Sequence, residues 1–176
     1  VAGQIARIAG CRVVGITGRN EKADWLTGDC GFDAALNYRT SDLSAAVADA
    51  CPRGVDLYFE NVGGPVTDAV MDHLVDHSRV AVCGKIALYN AENGDDRLRG
   101  PRRLHQRTRT RVEGFIVSDH VDRFDHIDAR LRRWVEDDRI QYRETVTDGI
   151  ETASDAFLGL FDGTNVGKQL VRIDDN

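Results

Sequence analysis

Residues 55–65 read VDLYFENVGGP. The run from Val55 to Glu60 is mostly β-branched, aromatic or aliphatic, and its length is that of a buried strand. Asn61, Val62, Gly63 and Gly64 follow as a tight turn, where glycine admits backbone angles and close approaches closed to other residues. Pro65 suits the first turn of a helix, where its missing N–H would have no partner in any case. Strand, glycine turn and helix in that order form one arm of a β-α-β unit, and the rest of the chain repeats it.

Upstream, Val1 to Gly10 (VAGQIARIAG) reads as a helix with Ile5, Ile8 and Ala9 on one face, and no Ser, Thr, Asp or Asn precedes it as a cap. Cys11 to Thr17 is a short β-branched strand, Asn20 caps a helix through Trp25 and Leu26, Ala34 to Asn37 is a strand, and Ser41 to Ala50 is a helix. Downstream of Pro65 the helix runs to about His73. Ser78 to Gly84 and Arg111 to Val117 read as strands, and an amphipathic helix surrounds Ile127, Leu131 and Trp134. Alternating strands and helices with short connections predict an α/β fold with a doubly wound parallel sheet. The tail differs: strand-like Tyr142 to Thr147 and Lys168 to Ile173 flank a helix over Glu151 to Phe161, which reads as a strand-helix-strand added to another layer.

The bulk numbers narrow the function classes. With 41% apolar and 30% charged residues, the chain has the composition of a globular domain. No apolar run approaches membrane-span length, so no membrane partner is expected. A net charge of −6 argues against general nucleic-acid affinity. The arginines Arg97, Arg99, Arg102, Arg103, Arg107, Arg109 and Arg111 form one local exception. They read either as a nucleic-acid patch or as a solvated loop and helix; missing aromatics and flanking acids favour the second. The four cysteines, Cys11, Cys30, Cys51 and Cys83, show neither metal-knuckle spacing nor a disulfide framework. They read as small buried apolar residues in a reducing, cytoplasmic setting. The five histidines, His73, His77, His105, His120 and His126, fall on helix or loop surfaces by pattern.

A doubly wound sheet binds its ligand at the carboxyl ends of its strands. The strand ending Ile16-Thr17-Gly18 carries no acid to bond a ribose 2′-hydroxyl; Arg19 and Lys22 follow instead. Cations beside a helix start suit a 2′-phosphate, although Lys22 by itself also reads as a plain surface residue. The other strand ends carry Tyr38-Arg39, then Glu60-Asn61-Val62-Gly63-Gly64, then Cys83-Gly84-Lys85. Gly63 and Gly64 alone would be an ordinary strand-to-helix turn.

Together these stretches resemble a known family. VAGQIARIAGCRVVGITGRNEK, GFDAALNYR, DLYFENVGG, AVCGKIALYN, GPRRL, VEGFIVSD, IQYRE and AFLGLFDGTNVGK run in family order over almost the whole chain. They resemble the zinc-free leukotriene B4 dehydrogenase / prostaglandin reductase / alkenal double-bond reductase branch of the medium-chain dehydrogenase/reductase superfamily. The resemblance implies an NADP(H)-binding Rossmann domain over residues 1–140, its sheet lacking the first strand, and a return segment of the catalytic domain over residues 141–176.

The resemblance also implies roles. Lys22 and Tyr38, with Arg39 beside them, match the contacts to the adenosine 2′-phosphate, and Gly18 lines the adenine side. Asn61 lies near the nicotinamide ribose. Cys83, Gly84 and Ile86 pass the nicotinamide, and Phe115, Ile116 and Val117 border its carboxamide. Asn165 and Gly167 match an Asn-x-Gly that reaches the cofactor phosphates. Tyr89 matches a tyrosine near the substrate carbonyl. The reaction implied is NADPH-dependent reduction of the C=C bond of an enone or enal, with prostaglandin- or quinone-like compounds also in range. A hydride passes to the β-carbon while Tyr89 or a cofactor hydroxyl stabilises the developing enolate.

No metal ligand is expected. The resemblance implies a homodimer through the Arg111–Val117 edge strand. The family's phosphate-binding glycine loop would lie ahead of Val1, so the residues given, taken alone, are expected to be poorly stable. Lys85 departs from the small or apolar residue expected beside the nicotinamide. A non-catalytic nucleotide-binding or dimerisation module, and an arginine-rich RNA-binding appendage, are the competing function classes.

Overall fold

The computed structural model describes residues 1–89 and 108–173. The elements run α1 (Ala2–Ile8), β1 (Val14–Thr17), α2 (Asn20–Thr27), β2 (Ala34–Asn37), α3 (Leu43–Ala50), β3 (Val55–Glu60), α4 (Gly64–Met71) and β4 (Leu74–Val82). After the segment outside the described residues come β5 (Arg111–Gly114), α5 (Phe124–Glu136), β6 (Glu144–Asp148), α6 (Ala153–Asp162) and β7 (Lys168–Arg172).

Among the described residues every strand pair is parallel, as the alternation predicts. The pairing falls into three sheets among the described residues: β1-β2, β3-β4-β5 and β6-β7. In the doubly wound order 3-2-1-4-5-6, the first two correspond to 3-2 and 4-5-6, so the break falls where that order places its first strand. The tail makes a sheet of its own, with α6 as the crossover.

The local reasons are mostly those of the sequence. Asp42 caps α3 by accepting from the Ala45 N–H. Gly63 (φ 80°) and Gly64 (φ 63°) turn the chain in the left-handed region just ahead of Pro65 in the first turn of α4. Met71, Leu74 and Val80 form a buried cluster, with Val55, Tyr58, Val82 and Val112 packed on it. On the other half, the Phe32 ring fits only because positions 3 and 15 lack a side chain; a Cβ on Gly15 would sit 3.0 Å from the ring and 2.7 Å from Leu26. The buried Gln4 amide donates to the Gln141 carbonyl at 2.8 Å and accepts from the Gln141 N–H at 2.7 Å, tying α1 to the start of the tail.

Several expectations are corrected. Arg19, not Asn20, occupies the cap position of α2, because the Asn20 carboxamide oxygen accepts from Asn37 Nδ2 at 2.6 Å. The strand expected over Arg111–Val117 ends at Gly114, and Phe115 to Val117 leave the sheet. β1 starts at Val14, later than Cys11, and β4 starts at Leu74, ahead of Ser78. The buried residue of α1 is Gln4, while Ala9 is exposed. Cys30 is buried, but Cys11 and Cys83 are exposed. His73 is half-buried, its Nε2 3.0 Å from Ser44 Oγ, and His77 lies in β4 with φ 63°. Arg97, Arg99, Arg102, Arg103, Arg107 and His105 lie outside the described residues. Arg109 pairs with Asp76, and Arg111 with Glu113.

Gly167 has φ 76°, and a Cβ there would overlap the Arg143 carbonyl, which accepts from the Lys168 N–H. Gly167→Ala is therefore expected to lower the unfolding free energy of the intact protein by about 1–3 kcal/mol in urea denaturation. Gly114→Ala, where a Cβ meets nothing within 4 Å, should stay within about 0.5 kcal/mol of wild type.

Candidate functional site

Parallel pairing of β1 with β2 sets Thr17 opposite Asn37, so the residues that follow each strand emerge side by side. The Tyr38 N–H donates to the Thr17 carbonyl at 3.0 Å. Its ring then lies against Gly18, where a Cβ would come 2.8 Å from the phenol oxygen. The Arg39 guanidinium stands 5.8 Å from the centre of the Tyr38 ring. Asn37 braces the turn from both sides, donating to Asn20 and accepting from the Arg39 N–H at 3.0 Å.

Lys22 joins this corner from the first turn of α2. Burial pushes its ammonium below the ordinary lysine value, and Arg19 and Arg39 push the same way, with Glu21 opposing. Three cations that repel one another beside a helix start form a place for an anion. The tail completes the corner: Arg39 donates to the Asp162 carbonyl at 3.4 Å, and a Cβ on the left-handed Gly163 would lie 3.6 Å from Lys22 Nζ. The sequence reading missed Asp162 and Gly163. The only signal was a glycine directly after an amphipathic helix, and nothing local says where that helix end docks.

A second corner forms where β3 and β4 end. Glu60 is 1% exposed, although it is charged. Its Oε1 accepts from the Val62 and Gly63 N–H groups at 2.6 and 2.9 Å, and its Oε2 accepts from the Tyr58 hydroxyl at 2.8 Å and from the Thr67 hydroxyl. Burial, and then the Glu60 carboxylate, push the Tyr58 phenol well above its ordinary value, so Tyr58 stays a donor. The turn that Glu60 holds receives the next loop. Cys83 and Gly84 donate to the Glu60 carbonyl at 2.8 and 3.3 Å, Ile86 to that of Asn61 at 3.4 Å, and Ala87 to that of Val62 at 2.8 Å. A Cβ on Gly84 would sit 2.8 Å from Asn61 Oδ1. Phe115 donates through its N–H to the Val82 carbonyl at 3.4 Å, beside Cys83, and its ring centre is 6.3 Å from that of Phe59.

The structure thus gathers Gly18, Lys22, Tyr38 and Arg39 in one corner and Asn61, Cys83, Gly84, Ile86 and Phe115 in another. Tyr89 follows the short 3-10 turn Ile86–Leu88 and is 69% exposed. Ile116 and Val117 are exposed just past the strand end. Asn165 turns inward on its own loop, donating to the Gly167 carbonyl at 2.7 Å. Among the described residues no hydrogen bond links Asn165 or Gly167 to either corner, and no group of three or more His, Cys, Asp or Glu is placed to hold a metal ion. No helix among them is long and apolar enough to cross a membrane.

Comparison with known proteins identifies the family to which the chain belongs. The family model described as zinc-binding dehydrogenase matches residues 1–132. The chain is 49% identical over 176 residues to the Bacillus subtilis protein YfmJ, covering 98% of this chain and 52% of that one. It is 42% identical over 175 residues to the NADPH-dependent curcumin reductase of Escherichia coli, covering 97% and 51%. A crystal structure of CurA in complex with NADPH from Vibrio vulnificus is similar at TM-score 0.91 and 38% identity, over 99% of this chain and 53% of that one. The chain spans about half the length of the curated relatives it matches.

The folded value of Lys22 lies below the unfolded one, so its charged form costs stability at neutral pH. That cost is lost as pH rises from the folded value to the higher unfolded one. A phosphomonoester in the corner favours the charged form. Adding adenosine 2′-monophosphate should therefore move the Lys22 titration upward, read by NMR of the ε-carbon. A titration that does not respond would contradict an anion site here.

Proposed function

The chain belongs to the zinc-binding dehydrogenase family of the medium-chain dehydrogenase/reductase superfamily, and from that premise we propose that the protein is an NADPH-dependent, zinc-independent reductase of α,β-unsaturated ketones and aldehydes. The observation that carries the proposal is the cationic corner, in which Arg19 and Arg39 act on the Lys22 ammonium and the Arg39 guanidinium stands over the Tyr38 ring at the end of β2. A 2′-phosphate is what separates NADPH from NADH, and a desolvated lysine flanked by guanidinium groups fits that dianion better than a ribose hydroxyl. A side chain at position 18 would collide with the Tyr38 phenol, so the absence of one at Gly18 keeps the adenine side of the corner clear.

When bound, NADPH supplies a hydride for the β-carbon of the substrate. The residues of the chain have the remaining tasks. Lys22, Tyr38, Arg19 and Arg39 hold the phosphate end. Asn61, Cys83, Gly84 and Ile86, with Phe115, Ile116 and Val117, would flank the nicotinamide end. Asn165 and Gly167 would hold the cofactor phosphates. Tyr89, with its phenol exposed, donates a hydrogen bond to the substrate carbonyl oxygen as negative charge grows there. Curcumin is an enone, and the E. coli relative that takes it supports the substrate class; prostaglandin- and quinone-like compounds remain within it.

The proposal includes three further elements. Residues 1–140 form the nucleotide-binding domain, and residues 141–176 return to the catalytic layer. The protein works in the cytoplasm. Two copies pair as a homodimer through β5, whose outer edge has no strand partner among the described residues.

Fluorescence titration of the intact protein should show NADPH bound more tightly than NADH. Lys22→Ala removes a charge-assisted contact of about 1.5–3 kcal/mol, so NADPH affinity should fall roughly ten- to a hundred-fold. NADH affinity should change little, and Tyr38→Phe should act in the same direction with a smaller effect. No binding of either nucleotide at millimolar concentration would favour a non-catalytic module. Tyr89→Phe should lower kcat for an enone by about ten-fold or more while leaving NADPH affinity unchanged.

A further inference from the structure

We infer that Glu60 is the positioning residue for the nicotinamide end of the site: one buried carboxylate holds the two loops that would receive that ring. The inference rests on the coenzyme reading above and extends it to a residue with no assigned part in it. Burying a carboxylate is costly unless every lone pair is met, and an apolar side chain at a strand end is usually the cheaper way to fill space. Here four donors converge on Glu60, two backbone N–H groups on Oε1 and two hydroxyls on Oε2. A carboxylate offers roughly four acceptor sites, so none is left for a substrate proton. Its role is therefore geometric.

The geometry leads directly to the site. Oε1 fixes the N–H groups of Val62 and Gly63, which orients the turn from Glu60 to Gly63. The carbonyls of Glu60, Asn61 and Val62 on that turn then accept from Cys83, Gly84, Ile86 and Ala87. Asn61 Oδ1 closes against Gly84 so tightly that a Cβ there would come within 2.8 Å. Through these bonds the carboxylate sets the relative position of Asn61, Cys83, Gly84 and Ile86. Tyr89 is reached from the same loop, its N–H donating to the Ile86 carbonyl at 3.3 Å. Thr67 and Tyr58 hold the far oxygen from α4 and β3, so the anchor belongs to the buried side of the strand end.

Glu60→Asp shortens the reach by one methylene, so it cannot meet both backbone N–H groups and both hydroxyls. Glu60→Gln keeps the length: its oxygen accepts from Val62 and Gly63, and its amide donates to two hydroxyls that also accept. Both variants of the intact protein are titrated with NADPH and with adenosine 2′,5′-bisphosphate, which has the 2′-phosphate but no nicotinamide. Glu60→Asp should bind NADPH about ten-fold more weakly and the bisphosphate within about two-fold of wild type, with Glu60→Gln recovering most of the NADPH affinity. If Glu60→Asp fails to fold, Thr67→Val, which removes one of the four donors, should show the same split at smaller size. Equal losses for both ligands would make Glu60 merely structural and overturn the inference, as would an unchanged NADPH affinity. Wild-type protein that binds neither ligand would overturn the coenzyme reading, and this inference with it.

Discussion

Parallel strand pairing is the constraint on which the rest of this molecule depends. In a parallel sheet the carboxyl ends of neighbouring strands lie at one edge, and the register decides which residues meet there. Thr17 stands opposite Asn37, Glu60 opposite Val82, and Val82 opposite Gly114. Gly18 therefore meets Tyr38, and the loops after Glu60, Val82 and Gly114 meet one another. A slip of one residue in any pair would turn alternate side chains to the opposite face and separate these groups. Residues far apart in the chain become neighbours through backbone hydrogen bonds alone, before any side chain contributes.

The two corners then use opposite electrostatic devices. At the end of β1 and β2, burial and then Arg19 and Arg39 push the Lys22 ammonium below its ordinary value, with Glu21 opposing, so the corner favours an anion. At the end of β3, the charge of Glu60 is met in full inside the protein, and the result is rigidity. The first arrangement suits the binding of an anion and the second fixes geometry. The tail serves the first: Asp162 accepts from Arg39 and Gly163 approaches Lys22, so the end of α6 closes over the cationic corner.

Much of the fold can be read from local chemistry. The strand β3, its double-glycine turn and Pro65 give the start of α4 without any tertiary knowledge, and Asp42 marks the start of α3 in the same way. Structure and local pattern part where a tertiary partner overrides a local preference. Asn20 has the side chain of a cap, yet Asn37 claims it from across the sheet edge. Ile116 and Val117 extend a strand-like run, yet the chain leaves the sheet at Gly114, and both are exposed. Cys83 sits in an apolar stretch but lies at a strand end, where the loop faces outward.

The candidate site was legible only as a set of residue types at strand ends. Arg19 and Lys22 stand out because the absence of an acid after β1 and the cations that follow it are local facts, whereas Gly18 and Tyr38 take their roles only from the family resemblance. Glu60 could not be given a role, since its partners Tyr58, Val62, Gly63 and Thr67 define it only once folded. The docking of Asp162 and Gly163 bridges more than a hundred residues of sequence and has no local signature.

The most direct measurement is a crystal structure of the intact protein with NADP⁺. The 2′-phosphate should lie among Arg19, Lys22, Tyr38 and Arg39, with the nicotinamide beside Asn61, Gly84 and Phe115 and the Glu60 bonds intact. A phosphate bound elsewhere, with the cationic corner filled only by solvent, would contradict the assignment of that corner as the coenzyme site.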